Sequence, residues 1–455
     1  MVLKNKKQLY FLGIGGIGMS ALARYFNAHG YAVCGYDKTS TSITNQLIDE
    51  GITISFQDKW TALEENLHPQ DTLVVYTPAI PSDHTLFGQF NLLGFTLIKR
   101  AQVLGEITKN TINLSVAGTH GKTTTSSIVA SIFQQSNRAF TAFLGGISTH
   151  LNSNYYHQEG HGDWYSITEA DEFDRSFLHL RPSYAVITST DADHLDIYQS
   201  KHELEASYQE FSALVADKSH VFYAQNVAQH ITGASYSATD QTADFYAVVH
   251  KQDSKGTHFS IYDKTCSVVL DDLFVRLPGI HNLENAIGAS LMCLRAGVNK
   301  HAITQGLASF QGIKRRFQYI IERDDLVYID DYAHHPSELK AIISSVKKLY
   351  PGQAITAIFQ PHLYSRTKDF MVDFARELSE VDELILLPIY PARELPIEGV
   401  TSAALMTHVN HTRTWCLSKE ELLSHLTHEN PPILLTLGAG DIDQLVQPIA
   451  ALYGH

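Results

Sequence analysis

The sequence has little cysteine, no long apolar run, a deficit of basic charge and no internal repeat, and each shortage removes a class of protein. Its four cysteines, Cys34, Cys266, Cys293 and Cys416, form no CxxC pair for metal or redox chemistry, and a reducing cytosol suits them. No stretch reaches the ~18 uninterrupted apolar residues of a membrane span, so no membrane partner is expected. The 34 Lys and Arg against 48 Asp and Glu leave a net charge of −14. That balance repels a polyphosphate backbone, and nucleic acid is not expected as a partner either. No repeat or low-complexity tract is visible either, and the composition gives disorder, collagen-like and coiled-coil readings no support.

What remains is ordinary globular composition, 44% hydrophobic and 18% charged, over 455 residues, enough for three domains. Lys4, Lys6 and Lys7 ahead of Leu9 to Leu12 imitate a secretory leader, but Gly13, Gly15, Gly16 and Gly18 break that segment as a helix. A cytoplasmic location follows as the expectation.

Short apolar runs rich in β-branched and aromatic residues alternate with helix-like segments, the pattern of parallel sheets with crossover helices. The fold class is α/β. Strands are predicted at residues 8–12, 31–36, 72–76, 111–117, 164–168, 184–188, 325–329, 354–359, 383–387 and 433–437. Strand and glycine signals restart near Lys109 and again after Gly312, which divides the chain into residues 1–108, 109–313 and 314–455. A polar stretch from about Gln225 to Lys264, with alternating Tyr, Phe and Val, reads as an added antiparallel ribbon.

Two glycine loops stand between a predicted strand and a predicted helix. The first, Gly13-Ile14-Gly15-Gly16-Ile17-Gly18, is a GxGxxG in its required context, and Asp37 follows 19 residues after Gly18. Gly15, Gly16, Ile17 and Gly18 would bring backbone amides to a pyrophosphate at a helix start, and Asp37 would reach a ribose. Taken alone this describes an NAD-type enzyme, or a tight turn without ligand. The second loop runs Gly118-Thr119-His120-Gly121-Lys122-Thr123-Thr124. Its glycines would cradle phosphate oxygens, Lys122 would reach the β- and γ-phosphates of ATP, and the Thr123 hydroxyl would face Mg²⁺. Val116 stands where the generic phosphate-loop pattern has its first glycine, so that pattern is only partly met.

In open α/β sheets ligands gather beyond the carboxyl ends of strands. There the chain carries Glu169-Ala170-Asp171-Glu172-Phe173-Asp174 and, further on, Asp191, Asp193, His194 and Asp196. Glu169 and His194 are read as Mg²⁺ ligands; Asp174 and Asp196 are read as helix caps. Later strands run into Asp330-Asp331-Tyr332-Ala333-His334-His335 and Gln360-Pro361-His362-Leu363-Tyr364-Ser365-Arg366. Arg366 offers a fork for a small substrate's carboxylate, while His334 and His335 alone read more readily as surface histidines. Gly438 to Asp441 is a further loop or merely a turn.

Together these motifs, with PGIHNLENA at 278–286 and RRF at 315–317, resemble the cytoplasmic Mur ligases of peptidoglycan synthesis. The short GTHGKT loop that misses the generic pattern is the form this family uses. The resemblance implies a Rossmann-like amino-terminal domain for a UDP-sugar, a central P-loop ATPase-type parallel-sheet domain, and a Rossmann-like carboxy-terminal domain for the amino acid. It implies an ATP-dependent ligase that joins L-alanine to UDP-N-acetylmuramate through an acyl phosphate, releasing ADP and phosphate, with Lys122, Glu169 and His194 at the reacting centre. Thr123, Glu169 and His194 would hold Mg²⁺. Gly118 to Thr124 would surround the phosphates of ATP; His281, Asn282 and Asn285 would approach its adenine, with Arg316 and Asp331 also on ATP. Tyr332, His334, His362 and Arg366 match the family's alanine-side positions, and the first glycine loop then holds UDP rather than NAD. Phe173 and Leu363 depart from the serine and arginine common in the family, which unsettles the alanine side most. Three rivals stand beside this reading: a ligase of preformed peptides, a nicotinamide oxidoreductase, and a nucleotide sensor without catalysis. The sequence leaves the choice between monomer and homodimer open.

Overall fold

The alternating strand and helix signals fold into three sheets that are parallel apart from hairpins at their ends. The computed structural model describes the chain except residues 1, 2, 4, 82, 150, 151, 192–197, 199, 228–230, 254, 393, 411, 412 and 455. Two compact units emerge: residues 1–252, 257–276 and 280–311 form one, and residues 253–256, 277–279 and 312–455 the other. Among the described residues no helix is long and apolar enough to cross a membrane.

The first sheet of the larger unit has the order Thr53–Ser55, Ala32–Tyr36, Gln8–Leu12, Thr72–Tyr76, Thr96–Lys99, all parallel. Leu9, Tyr10, Phe11 and Leu12 are fully buried, as expected of a central strand covered on both faces. Strand order reverses on either side of Gln8–Leu12, so the loops leaving it and Thr72–Tyr76 part to open a crevice. The first glycine loop borders that crevice, and the helix Ile17–Ala28 follows, burying Met19, Leu22, Ala23 and Phe26.

The second sheet has ten strands, ordered Val268–Val275, Gly256–Asp263, Phe245–Asp253, Ala234–Ser237, Val221–Ala224, Pro182–Ile187, Ile112–Ala117, His161–Glu169, Arg138–Ser148, Ser153–Gln158. The stretch predicted as an antiparallel ribbon is only partly that. Gly256–Asp263 and Val268–Val275 pair antiparallel, but Ala234–Ser237 pairs parallel to both its neighbours, so the segment extends the central sheet. A buried arginine joins the two sheets of this unit: Arg24 donates to both carboxylate oxygens of Glu50 at 2.8 and 2.9 Å and to Asn154 on the outermost strand.

The smaller unit has one sheet, ordered Gln318–Glu322, Val327–Asp331, Ile433–Leu437, Ile355–Phe359, Glu383–Leu386, Thr414–Cys416, parallel after its first antiparallel pair. Apolar clusters cover both faces, one around Ile329, Leu339, Phe359 and Leu435, the other around Tyr328, Ile358, Leu434 and Ile449. The strand predicted to end at Ile329 continues through Asp331. Alternation then turns Asp330 into the sheet face, 1% exposed, and leaves Asp331 at the rim.

Candidate active site

Strand Ile112–Ala117 lies between His161–Glu169 and Pro182–Ile187 in parallel register, so the segments leaving their carboxyl ends emerge side by side. The second glycine loop leaves the middle strand. Gly118 and Gly121 have φ of 133° and 83°, a region side chains rarely enter, and a Cβ on Gly121 would fall on Oδ1 of Asn285. The helix Lys122–Gln134 begins at once, with no side-chain cap on its first amides, which leaves them to an anion.

The adjacent strand end holds this loop by hydroxyls that the sequence reading passed over. Thr188 Oγ1 donates to Ala117 O at 3.1 Å and to the carbonyl of His120. The His120 amide donates to Ser189 Oγ at 2.8 Å, and Thr119 Oγ1 donates to Asp191 O at 2.9 Å. Thr123 and Thr124 are 4% and 6% exposed. The backbone cradle, the open helix start and one lysine together fit the phosphates of ATP.

Lys122 is not free in this arrangement. Its ammonium donates to Gly118 O at 2.7 Å and to both carboxylate oxygens of Glu172 at 2.9 and 2.8 Å. Burial disfavours the lysine's charge, but Glu172, Glu169 and Asp171 outweigh it and raise its pKa; burial pushes Glu172 up, against the pull of Lys122. Glu172 is the principal residue missed: it sits within the acidic run, but nothing in the spacing singles it out.

Glu169 ends its strand, and its Oε2 accepts the Gly145 amide at 3.1 Å. A Cβ on Gly145 would land inside that carboxylate. Thr123 and Glu169 are hard oxygen donors of the kind Mg²⁺ takes. His194, the third expected ligand, lies outside the described residues, as do Asp193 and Asp196. Asp174 is not a helix cap: it has φ 54° within the 3₁₀ segment Phe173–His179 and pairs with Lys99 at 2.7 Å. Asn282 and Asn285 are buried on the helix Ile280–Arg295 with His281 in its first turn, and Asn285 abuts the loop at Gly121 as described.

At the first glycine loop, Asp37 Oδ2 accepts the Gly15 amide at 2.7 Å, so the expected ribose acid is turned toward its own loop. A Cβ on Gly15 would come within 2.9 Å of that oxygen. Gly16 caps the helix Ile17–Ala28 without a side-chain bond, and Gly18 lies against Arg100.

In the smaller unit, Asp331 Oδ2 accepts the Phe317 amide at 2.6 Å and Oδ1 the Ala333 amide at 2.8 Å. Burial nevertheless pushes its pKa up to about 6. Arg315, not singled out from sequence, bonds Asp330 at 3.3 Å and lies over the Tyr332 ring at 5.1 Å, while Arg316 is exposed and acts on Asp331 through its charge. His334 Nδ1 lies 3.0 Å from Tyr332 O, and its ring is 6.1 Å from that of His362. Arg366 Nη1 lies 3.4 Å from His362 Nδ1. Burial, His334 and Arg366 push His362 down to about 4; burial lowers His334 as well. Tyr332, His334, His362 and Arg366 are thus brought to one rim. Leu363, beside them, holds φ 71°. The loop after Ile433–Leu437 is structural: Gln360 Nε2 donates to Asp441 at 2.9 Å.

Three family descriptions match in series: "Mur ligase family, catalytic domain" over residues 8–111, "Mur ligase middle domain" over 116–293, and "Mur ligase, glutamate ligase domain" over 315–440. The chain is 46% identical to a UDP-N-acetylmuramate–L-alanine ligase of Flavobacterium johnsoniae over 99% of its length and 98% of that protein. It is 44% identical to one from Porphyromonas gingivalis, over 97% and 98%. A crystal structure of a UDP-N-acetylmuramate-alanine ligase from Thermotoga maritima superposes with a TM-score of 0.83 at 24% identity, over 98% and 99% of the two chains. A murein peptide ligase from Psychrobacter arcticus superposes at 0.71 and 22%, over 99% of both. At these identities the two structures speak to the three-domain α/β fold alone.

Proposed function

Because the chain belongs to the Mur ligase family, we propose that it joins L-alanine to the lactyl carboxylate of UDP-N-acetylmuramate, converting ATP to ADP and phosphate, in cytoplasmic peptidoglycan precursor synthesis. The observation that carries this reading is the phosphate loop, whose lysine, open helix start and flanking acids leave three adjacent strands at one end of the central sheet. Against a nicotinamide enzyme, that assembly would stand idle. Against a peptide ligase stands the naming of the relatives above 40% identity for L-alanine.

The chemistry starts from a poor leaving group, since a carboxylate does not condense with an amine in water. The lactyl carboxylate attacks the γ-phosphorus of ATP, the bond to the β-phosphate oxygen breaks, and an acyl phosphate and ADP form. The amine of alanine then attacks the acyl carbon, and the tetrahedral intermediate expels phosphate to leave the amide. Lys122 neutralises charge on the transferring group, and the amides of Gly118 to Thr124 bind its oxygens. Thr123, Glu169 and His194 are assigned to Mg²⁺, which when bound would balance charge on the phosphates. His281, Asn282, Asn285, Arg316 and Asp331 are assigned to ATP, and Gly15 to Gly18 with Asp37 to the sugar nucleotide. Tyr332, His334, His362 and Arg366 are assigned to alanine, with residues 1–108, 109–313 and 314–455 as the three functional parts.

The amine must lose a proton before it attacks. With His334 neutral and its Nδ1 proton donated to Tyr332 O, the Nε2 lone pair is available to take it. His362 uses Nδ1 as acceptor for Arg366, and burial, His334 and Arg366 hold its basicity low.

The test is phosphate release with ATP, Mg²⁺ and UDP-N-acetylmuramate, each amino acid added in turn. Release that requires both the sugar nucleotide and L-alanine supports the reading. Release that answers only to a preformed peptide, or none, contradicts it.

A further inference from the structure

The helix that follows the first glycine loop is latched to the central sheet by one buried amide. Asn154 stands on the outermost strand, Ser153–Gln158, and is 0% exposed. Its Nδ2 donates to Ile17 O and, at 2.9 Å, to Ser20 Oγ, while its Oδ1 accepts Nη1 of Arg24. Ser20 Oγ donates in turn to Ile17 O at 3.0 Å. Both amide hydrogens and the carbonyl of this side chain are thus used, and both hydrogens grip the first turn of the helix, beside Gly18. Tyr25, about two turns further on, seats the same helix on the sheet: its ring lies 5.4 Å from that of Phe143 and 6.4 Å from that of Tyr155. Phe143 pairs with Tyr155 on one side and with Thr168 on the other. Asn154 and Glu169 each lie one residue from that row, on strands two apart, so their backbones are separated by about 10 Å at ordinary strand spacing. The strand between them, Arg138–Ser148, supplies the Gly145 amide to Glu169.

We propose that Asn154 is a positioning residue that fixes how far the sugar nucleotide's carboxylate stands from the γ-phosphorus of ATP. This rests on the reading above that the first loop takes the diphosphate of the sugar nucleotide. With the diphosphate on the amides of Gly15 to Gly18, the first turn of Ile17–Ala28 sets where the rest of that substrate falls. The phosphate loop and Glu169 belong to the sheet on which Asn154 stands. One side chain therefore refers the acceptor to the frame that holds the donor. An apolar contact such as that of Tyr25 is non-directional and lets a helix slide. A buried amide that must satisfy three partners at once permits a single register, because any slip leaves polar groups unpaired and out of reach of water. In-line transfer needs that precision, since a displacement of about 1 Å costs on the order of a hundredfold in rate. Sealed from solvent, Asn154 acts through Ile17 and Ser20.

The experiment uses Asn154→Asp, which keeps the shape and the Arg24 contact but sets a carboxylate oxygen against Ile17 O and so drives the first turn away. Calorimetry gives its affinity for UDP-N-acetylmuramate and for a non-hydrolysable ATP analogue with Mg²⁺. Turnover with L-alanine gives kcat and the phosphate released per amide formed. Both affinities should stay at the unaltered values, while kcat should fall by about tenfold or more. Phosphate should exceed amide, because a misplaced carboxylate lets water take the phosphoryl group. A merely structural role would lower the melting temperature and leave that ratio at one. A ratio of one overturns the inference, and so does activity lost entirely through weaker binding of the sugar nucleotide. Should Asn154→Asp fail to fold, Ser20→Ala, which withdraws one acceptor from the Asn154 amide, decides on the same readout: phosphate in excess of amide supports the inference, and a ratio of one overturns it. Neither result touches the functional reading, which falls, and the inference with it, if the unaltered protein does not bind UDP-N-acetylmuramate.

Discussion

The ammonium of Lys122 lies 2.8 Å from Oε2 of Glu172 and 2.9 Å from its Oε1, with Glu172 1% exposed. A phosphate-loop lysine is thus held by a buried carboxylate, and each partner's removal has its own signature. Removing Glu172 strands a buried ammonium: Glu172→Ala should lose about 3–5 kcal/mol in urea unfolding, and ATP with Mg²⁺ should recover part of the loss by giving the lysine new oxygens. Lys122→Ala should form no ADP yet still bind UDP-N-acetylmuramate. Normal ADP formation by that variant would remove the lysine from the reaction.

Gly145 has no backbone reason to be glycine, since its φ lies outside the left-handed range; what it lacks is room beside Glu169. Gly145→Ala should fold normally and displace that carboxylate. Titration of Mn²⁺ followed by electron paramagnetic resonance should show weaker binding, and phosphate release should require more Mg²⁺. Unchanged Mn²⁺ affinity would detach Glu169 from the metal.

Adjacent arginines should separate cleanly. Arg315 neutralises Asp330, whose side chain is 2% exposed, so Arg315→Ala should lose about 3–5 kcal/mol of stability at pH 7. Arg316→Ala, at an exposed position, should stay within about 0.5 kcal/mol while raising the KM for ATP or lowering kcat. Equal destabilisation by the two would contradict the division of labour.

Burial, His334 and Arg366 push the His362 pKa down to about 4 in the folded protein, against about 6.5 in an unfolded chain. Between those values the unfolded chain binds a proton that the folded one does not, so this histidine makes stability rise with pH across the window and level off above it. The melting temperature of the unaltered protein minus that of His362→Gln should therefore increase from pH 4.5 to pH 7. A difference that ignores pH would place His362 in a more solvated setting.

Central strands were readable because burial on both faces makes them continuous apolar runs: Gln8–Leu12, Thr72–Tyr76 and Ile433–Leu437 fall where predicted. Edge strands were not, since Thr53–Ser55 and Thr414–Cys416 have three residues each and Ser153–Gln158 is largely polar. Asp330 and Asp331 looked like loop acids; only the pairing with Thr436 and Leu437 shows them to be strand. Arg315 and Arg316 cannot be ranked from sequence either. The φ of 61° at Arg315 turns the chain so that the first arginine goes inward and the second outward. Glu172 escaped for a similar reason, because a left-handed kink at Asp174 and Arg175 gives the acidic run no periodicity to read. The glycine loops were legible because their chemistry demands particular residues at particular steps, whereas the supports of the second loop, Thr188, Ser189 and Glu172, come from segments that follow other strands.

The account turns on direct transfer of the γ-phosphoryl group to the sugar nucleotide's carboxylate. UDP-N-acetylmuramate labelled with ¹⁸O in that carboxylate, turned over with ATP, Mg²⁺ and L-alanine, tests it most directly by mass analysis of the phosphate released. The account predicts one ¹⁸O in each phosphate, carried over when the amine displaces it from the acyl carbon. Unlabelled phosphate alongside amide product would contradict an acyl phosphate.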